Sequence, residues 1–341
     1  MTRLSFVEAL AARPFLLADG ATGTNYFQMG LTSGDAPEMW NFDYPDRVRS
    51  LHRQFIDAGA DIILTNTFGG NRYRLKLHDA QDRVREINIQ AVKNARAEAD
   101  AAPRPVYVAG SIGPTGEIFM PVGALSHEDG VAAFAEQALA MKEGGADVLW
   151  IETMSAVEEL TAAVEGASRA GLPIVTNMSF DTNGRTMMGL TPQAFGAVTA
   201  NLPVQPVAIG ANCGVGASEL IATVLGITAA RPDAHVVAKG NCGIPQYVDG
   251  HIHYTGTPEL MADYARMAFD AGARIIGGCC GTSPEHLASM RRALDTHVRG
   301  DRPTIAYIEE RLGPVSELAK GIDTAAAGAA RRDVGRRRAR Q

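Results

Sequence analysis

The 341-residue chain is predicted to fold as a single (β/α)8 TIM barrel, and three observations predict it. Eight short apolar runs recur between residues 15 and 276, their starts 26 to 46 residues apart, which is the spacing of strand–helix units. The runs lack strict polar–apolar alternation, as parallel strands covered on both faces do. Between them lie amphipathic stretches that would form an outer layer of helices. A doubly wound open sheet shares this periodicity, but no Gly-x-Gly-x-x-Gly phosphate loop follows the first run, which counts against it.

The runs, in order, are Phe15-Leu16-Leu17-Ala18, Asp61-Ile62-Ile63-Leu64, Val106-Tyr107-Val108-Ala109 and Asp147-Val148-Leu149-Trp150-Ile151. Pro173-Ile174-Val175-Thr176, Val207-Ala208-Ile209, His235-Val236-Val237-Ala238 and Arg274-Ile275-Ile276 complete the set. Helical periodicity is clearest from Glu128 to Lys142 and from Pro258 to Ala271. Ala58-Gly59, Gly144-Gly145 and Ala271-Gly272 sit where a helix ends and the next strand begins, as C-capping glycines do. Asp19, Asn66, Glu152, Asn177, Cys213, Asn241 and Cys279 each follow a run. They would ring the C-terminal face, where barrels of this class carry their chemistry. Residues 1–300 are assigned to the barrel, 301–322 to a C-terminal extension and 323–341 to a disordered Ala/Arg-rich tail lacking large apolar side chains.

With 46% hydrophobic and 21% charged residues, the composition is that of an ordinary globular protein. No stretch approaches the roughly 18 apolar residues of a membrane span. Glu8 stands where a signal peptide needs an apolar core. Only four cysteines are present, so a reducing cytoplasm is the expected compartment. Six of the basic residues are arginines of the last eleven positions; the other 330 residues carry 26 basic and 37 acidic groups, a net charge of −11. An acidic body argues against a nucleic-acid enzyme. The arginine run could touch nucleic acid or anionic lipid, but a solvated extension is the simpler reading.

Three cysteines are flanked by glycine: Cys213 in Gly210-Ala211-Asn212-Cys213-Gly214, and the pair in Gly277-Gly278-Cys279-Cys280-Gly281. Adjacent cysteines seldom bridge each other, because the disulfide geometry needs a wider Cα separation. Around a soft metal they work well, since flanking glycines let both sulfurs converge. Three thiolates make an open zinc site whose fourth position is left for water or substrate. Small buried core cysteines, or a structural or redox-sensing zinc–thiolate site in a binding protein, are the alternatives. None of the eight histidines has a metal-ligand spacing; His251 and His253 are read as a solvated polar loop. Met187-Met188 is read as packing, and so is Cys242.

Asp19-Gly20-Ala21-Thr22-Gly23-Thr24, Thr65-Asn66-Thr67-Phe68-Gly69, Gly113-Pro114-Thr115-Gly116 and Ile151-Glu152-Thr153, together with the two cysteine motifs, resemble the homocysteine S-methyltransferase family over about residues 14–295. The pattern is most similar to stand-alone bacterial betaine–homocysteine S-methyltransferases. The family also holds S-methylmethionine-dependent enzymes and the homocysteine-binding domain of cobalamin-dependent methionine synthase. The resemblance implies a Zn2+ barrel that methylates the sulfur of homocysteine to give methionine. It implies Cys213, Cys279 and Cys280 as zinc ligands, and Asp19 and Glu152 on the substrate ammonium. Asn241, in Asn241-Cys242-Gly243-Ile244-Pro245, would fill the fourth zinc position when homocysteine is absent. The Gly113–Gly116 turn would offer backbone donors to the substrate carboxylate.

The methyl donor is read from the loop after the first run. Tyr26, Phe27, Trp40, Phe42 and Tyr44 place five of the 21 aromatic residues within 19 positions. Aromatic faces attract quaternary ammonium groups, so glycine betaine is the expected donor and Trp40 its expected partner. These rings could instead pack the barrel mouth or a contact between copies of the chain in a homo-oligomer. Two features depart from animal betaine enzymes: Thr153 replaces a tyrosine and Gly69 replaces an aromatic. S-methylmethionine is the nearest rival donor. A separate corrinoid protein comes next, because the chain ends soon after the barrel.

Overall fold

The computed structural model describes residues 3–248 and 251–320. Every apolar run forms a strand: β1 (Leu16–Leu17), β2 (Ile62–Leu64), β3 (Tyr107–Ile112), β4 (Val148–Met154), β5 (Ile174–Met178), β6 (Ala208–Cys213) and β7 (Val236–Gly240). An antiparallel hairpin, β8 (Pro245–Val248) and β9 (His251–Tyr254), interrupts the loop after β7, and β10 (Ala273–Gly278) is the eighth barrel strand. The sequence reading of a polar loop around His251 and His253 is therefore corrected to a β-hairpin. Backbone pairing between the two segments supplies order that a count of polar residues does not reveal. The barrel strands are all parallel, in the order β1-β10-β7-β6-β5-β4-β3-β2.

Local chemistry explains the element ends. Ser5 and Glu8 form a capping box for the first helix, Phe6–Ala12, so Glu8 starts a helix. Thr191-Pro192, Thr257-Pro258 and Ser283-Pro284 each place a hydroxyl N-cap before a proline in the first helical turn, where the missing N–H costs nothing. The predicted C-caps hold: Gly145 and Gly272 take φ of +96° and +105°, a conformation that side chains resist.

Burial divides into two shells. Within the barrel, Leu16, Ile62, Leu64, Tyr107, Val148, Trp150, Val175, Val237 and Ile275 pack together, and Phe6, Ala9 and Leu10 join them from below. Leu17, Ile63, Val108, Leu149, Ile151, Ile174, Ile209, Val236 and Ile276 belong to the larger shell shared with the helices. Strands sandwiched in this way need apolar residues at both odd and even positions. Among the described residues no helix is long and apolar enough to cross a membrane. Beyond the barrel, the helix Ile305–Leu312 buries Ile308 and Leu312. Ser218 donates to the Pro314 carbonyl at 2.8 Å, and Glu219 accepts from the Ser316 N–H at 3.0 Å. The predicted disordered tail, 323–341, lies outside the described residues.

Closure is the delicate step. β1 is only two residues long and meets β2 through a single bridge, Ala18 to Ile62. Two aspartates supply what the short ladder lacks. Asp19, above β1, accepts the Leu64 N–H at 2.7 Å, and Asp61, below β2, accepts the Leu17 N–H at 2.9 Å. Arg13 and Arg291 hold the Asp61 carboxylate at 3.0 and 3.1 Å. Asp61→Ala would leave the buried Leu17 N–H without an acceptor and take from Arg13 and Arg291 their contacts with this carboxylate, Arg291 keeping Asp295. We expect a loss of about 3 kcal/mol in urea unfolding, with part recovered in Asp61→Asn, which keeps the acceptor. Unchanged stability in Asp61→Ala would contradict this account of the seam.

Candidate metal and substrate site

Alternation along the strands prepares the site. The inward series of β4, Val148 and Trp150, continues to Glu152; that of β3 continues to Ser111; that of β7 continues from Val237 to Lys239. Apolar layers thus give way to a polar layer at the C-terminal end of the barrel. Cys213 closes β6 in the left-handed region, with φ of +59°, and Gly214 follows at +76°. Cys279 and Cys280 follow β10 immediately. The Cys213 sulfur lies 3.3 Å from that of Cys279 and 3.7 Å from that of Cys280.

The end of β7 splints the two cysteine segments. Cys279 donates its N–H to the Gly240 carbonyl at 2.6 Å, and Cys242 donates to that of Cys280 at 2.8 Å. Asn241 spans both sides: its Nδ2 donates to Gly214 O at 2.8 Å and its Oδ1 accepts the Cys280 N–H at 3.0 Å. All three sulfurs lie within 4.8 Å of one another, the sole such group of potential metal ligands among the described residues. A tetrahedral zinc with Zn–S bonds of about 2.3 Å needs sulfurs about 3.8 Å apart. Cys213, Cys279 and Cys280 fit that demand with little movement. Hydrogen bonds from Cys213 and Cys279 pull the Cys280 thiol down, while those with Cys279 and Cys280 push Cys213 up.

Below the sulfurs lies a buried ionic cluster. Lys239, 3% exposed, donates to Gly278 O at 2.6 Å and Gly20 O at 3.2 Å, and lies 3.3 Å from Asp19 Oδ1. Burial opposes its charge, but Asp19, Cys279 and Glu152 outweigh that and raise its pKa. Desolvation raises Asp19 despite the opposing pull of Lys239. Glu152 accepts a 2.5 Å hydrogen bond from Ser111 Oγ, and desolvation pushes its carboxyl up to about 7 against the pull of Lys239. One buried ammonium and two buried carboxyl groups thus lie beside three thiols, a set that carries both signs of charge.

The profile of the homocysteine S-methyltransferase family matches residues 16–294. The chain belongs to the homocysteine S-methyltransferase family. It is 32% identical over 318 residues to a methionine synthase of Mycobacterium leprae and 32% identical over 304 residues to that of Mycobacterium tuberculosis. Those matches cover 87% and 84% of this chain but 26% and 25% of the relatives, so it spans about a quarter of their length. Among solved structures, the oxidized form of the Escherichia coli homocysteine methyltransferase MmuM superposes with a TM-score of 0.65 at 25% identity, covering 83% of this chain and 97% of that one. Its metallated form gives 0.66 at 24% identity, with 84% and 98% covered.

Within this family member, the remaining predicted residues take other employments. Trp40 is 4% exposed, 5.2 Å from Tyr26 and 5.0 Å from Tyr44 by ring centroid, and the Arg47 guanidinium lies 5.2 Å over it. A cation therefore already occupies the ring that the sequence offered to the donor. Gly113 donates its N–H to Phe68 O, and Thr115 donates both N–H and hydroxyl to Glu159, so this turn spends two backbone donors internally. Cys242 is fully buried, its thiol pushed up to about 12 by desolvation. Met187 and Met188 are 71% and 58% exposed, which corrects their reading as packing residues: the loop after β5 carries them over the surface. Lys239 was missed by sequence reasoning. Its signal was a lone lysine at an inward position of an apolar strand.

Two outcomes follow from this geometry. Alanine at Cys213, Cys279 or Cys280 is expected to lower zinc content, measured by atomic emission after dialysis against a mild chelator, at least tenfold, whereas Cys242→Ala keeps it. Equal zinc in all four variants would break the ligand assignment. For Glu152, the folded value near 7 lies above the ordinary 4.5, so the folded state holds a proton that the unfolded chain has released. The stability this group contributes therefore declines as pH rises from about 4.5 to about 7, by about 3 kcal/mol in all. Glu152→Gln should remove that decline, so its stability relative to wild type in urea should grow between pH 5 and pH 8. A difference independent of pH would contradict it.

Proposed function

We propose that this chain transfers a methyl group to the sulfur of homocysteine to give methionine, with zinc held by Cys213, Cys279 and Cys280 and glycine betaine as donor. The observation that supports the acceptor half best is the convergence of three sulfurs, 3.3 and 3.7 Å apart, above a buried lysine and two buried carboxylates. When bound, zinc supplies the Lewis acidity that keeps an incoming thiol deprotonated at neutral pH, where a free thiol with a pKa of about 8.5 is mostly protonated. Lys239 offsets the negative charge that thiolates accumulate at the barrel mouth. Ser111 takes one oxygen of Glu152, and we assign the other to the substrate ammonium as a charge-assisted acceptor. Asp19, bound to Leu64 N–H and facing Lys239, orients that cluster and closes the ammonium site from the β1 side. Asn241 fixes the spacing of the cysteine segments in the absence of substrate; its Oδ1 retains a lone pair for the fourth metal position.

The transfer itself balances simply. A sulfur–carbon bond forms as a nitrogen–carbon bond of betaine breaks, the electron pair stays on nitrogen, and dimethylglycine leaves. Opposite charges on sulfur and nitrogen cancel during the step, which a site shielded from water favours. With Arg47 over Trp40, we assign the quaternary ammonium to the rings of Phe27 and Phe68, 53% and 40% exposed, which follow β1 and β2 in the chain. A second reading takes the methyl from a corrinoid protein, favoured by the likeness to methionine synthases. S-methylmethionine is the third donor to test. Free thiols of this kind require a reducing compartment, in keeping with the cytoplasm.

The deciding assay feeds homocysteine with betaine, S-methylmethionine, S-adenosylmethionine or a methylated corrinoid and measures methionine. Betaine is expected to support turnover, and Cys279→Ala to abolish it. Turnover with the corrinoid alone would move the donor and leave the acceptor chemistry standing. Silence with every donor would overturn the proposal.

A further inference from the structure

Asn212 lies one residue before a metal-ligand candidate and does none of the work assigned so far. It is 1% exposed and sits on β6. Its side chain reaches past β5 to β4, where Oδ1 accepts the Thr153 N–H at 2.8 Å and Nδ2 donates to Thr153 Oγ1 at 2.7 Å. Nδ2 also lies 4.0 Å from the Cys279 sulfur. Thr153 at one end of this clasp and Cys213, the residue after Asn212, share an unusual backbone, with φ of +61° and +59°. A β-branched residue in the left-handed region is a true outlier, held there only by its surroundings. The β4–β5 register shifts between Ile151 and Met154, the stretch that contains Glu152 and Thr153. Such an irregularity re-aims the side chains it carries.

We infer that Asn212 is a positioning residue that couples the two halves of the site, holding Thr153 in its strained conformation so that Glu152 faces the substrate at a set distance from Cys213. The inference rests on the proposed reading of Glu152 as the ammonium acceptor. One amide thereby links the strand that carries a metal ligand to the strand that grips the amino acid. A relaxed Thr153 would return Glu152 towards regular strand geometry and turn its carboxylate aside. Sulfur chemistry would remain while the hold on the amino-acid end weakened.

The test uses zinc-loaded full-length protein with saturating donor. Asn212→Ala is expected to raise the homocysteine KM about tenfold while kcat stays within threefold and zinc remains near one per chain. Adding Thr153→Gly should restore the KM to within threefold of wild type, because glycine takes positive φ without a clasp. Asn212→Asp keeps both contacts, with the Thr153 hydroxyl now donating, and should hold the KM within threefold; it also serves if Asn212→Ala does not fold. A KM unchanged in Asn212→Ala overturns the inference. So does a double variant no better than Asn212→Ala, which would mark a merely structural contact. A raised KM in Asn212→Asp equal to that of Asn212→Ala would count against the clasp as well. A wild-type protein that neither binds nor methylates homocysteine overturns the functional reading itself, and is distinguished because the failure precedes any variant.

Discussion

The site depends on closing the ring of strands where its shortest member offers almost no ladder. β1 contributes two residues and one bridge to β2, so backbone pairing alone leaves the seam weak. Asp19 and Asp61 each lend a carboxylate to a backbone N–H across it. Charged acceptors make stronger bonds than the carbonyls they replace, and the low polarity of the interior strengthens them further. Once the ring is closed, every strand end has a defined place around the mouth. The sulfurs then meet because β6 and β10 flank the same neighbour, β7. Their backbones are about 9–10 Å apart, and Cys213 and Cys279 lean over the end of β7 to bring their sulfurs to 3.3 Å. Asn241, just past the intervening strand, ties both sides down.

Burying Lys239 beside Asp19 and Glu152 is costly for folding. Each charge leaves water, and an ion pair in a barrel interior rarely repays that in full. Such an arrangement is understandable as preorganisation. Under the proposed function, the cluster would meet a zwitterionic substrate with its field already in place, so little reorganisation would be needed. The raised value of Glu152 is the local sign of this strain, since burial outweighs the nearby lysine. Backbone strain is concentrated in the same place: Thr153 and Cys213 are two of the four non-glycine residues with positive φ among those described. Strain in both forms is sustained by the two apolar shells beneath.

Much of this was legible in the chain of residues. Repeated apolar runs forced parallel strands, because a run with no polar face must be covered on both sides, and every such run became a barrel strand. The cysteine motifs pointed to sulfurs converging at strand ends, and the three sulfurs do lie within 4.8 Å of one another, close enough to hold a metal ion. Local chemistry also set the helix caps at Ser5, Gly145 and Gly272. What periodicity could not convey was which side chains a neighbour would occupy first. Trp40 looked available for a cation, yet Arg47, seven residues on, already covers it.

The sequence by itself determined the fold, the element order and the identity of the sulfur residues, because these follow from short-range periodicity and residue chemistry. Only the tertiary structure decided how residues far apart in the chain divide the work around the mouth. Lys239 became the counter-charge of Asp19, 220 positions away, and Asn212 found Thr153 across an intervening strand. Asn241 was drawn to the backbone of both cysteine segments. Such pairings depend on barrel closure and strand register, and the physical reason they stay hidden is that a polar side chain bonds to whatever partner the closed ring brings within about 3 Å.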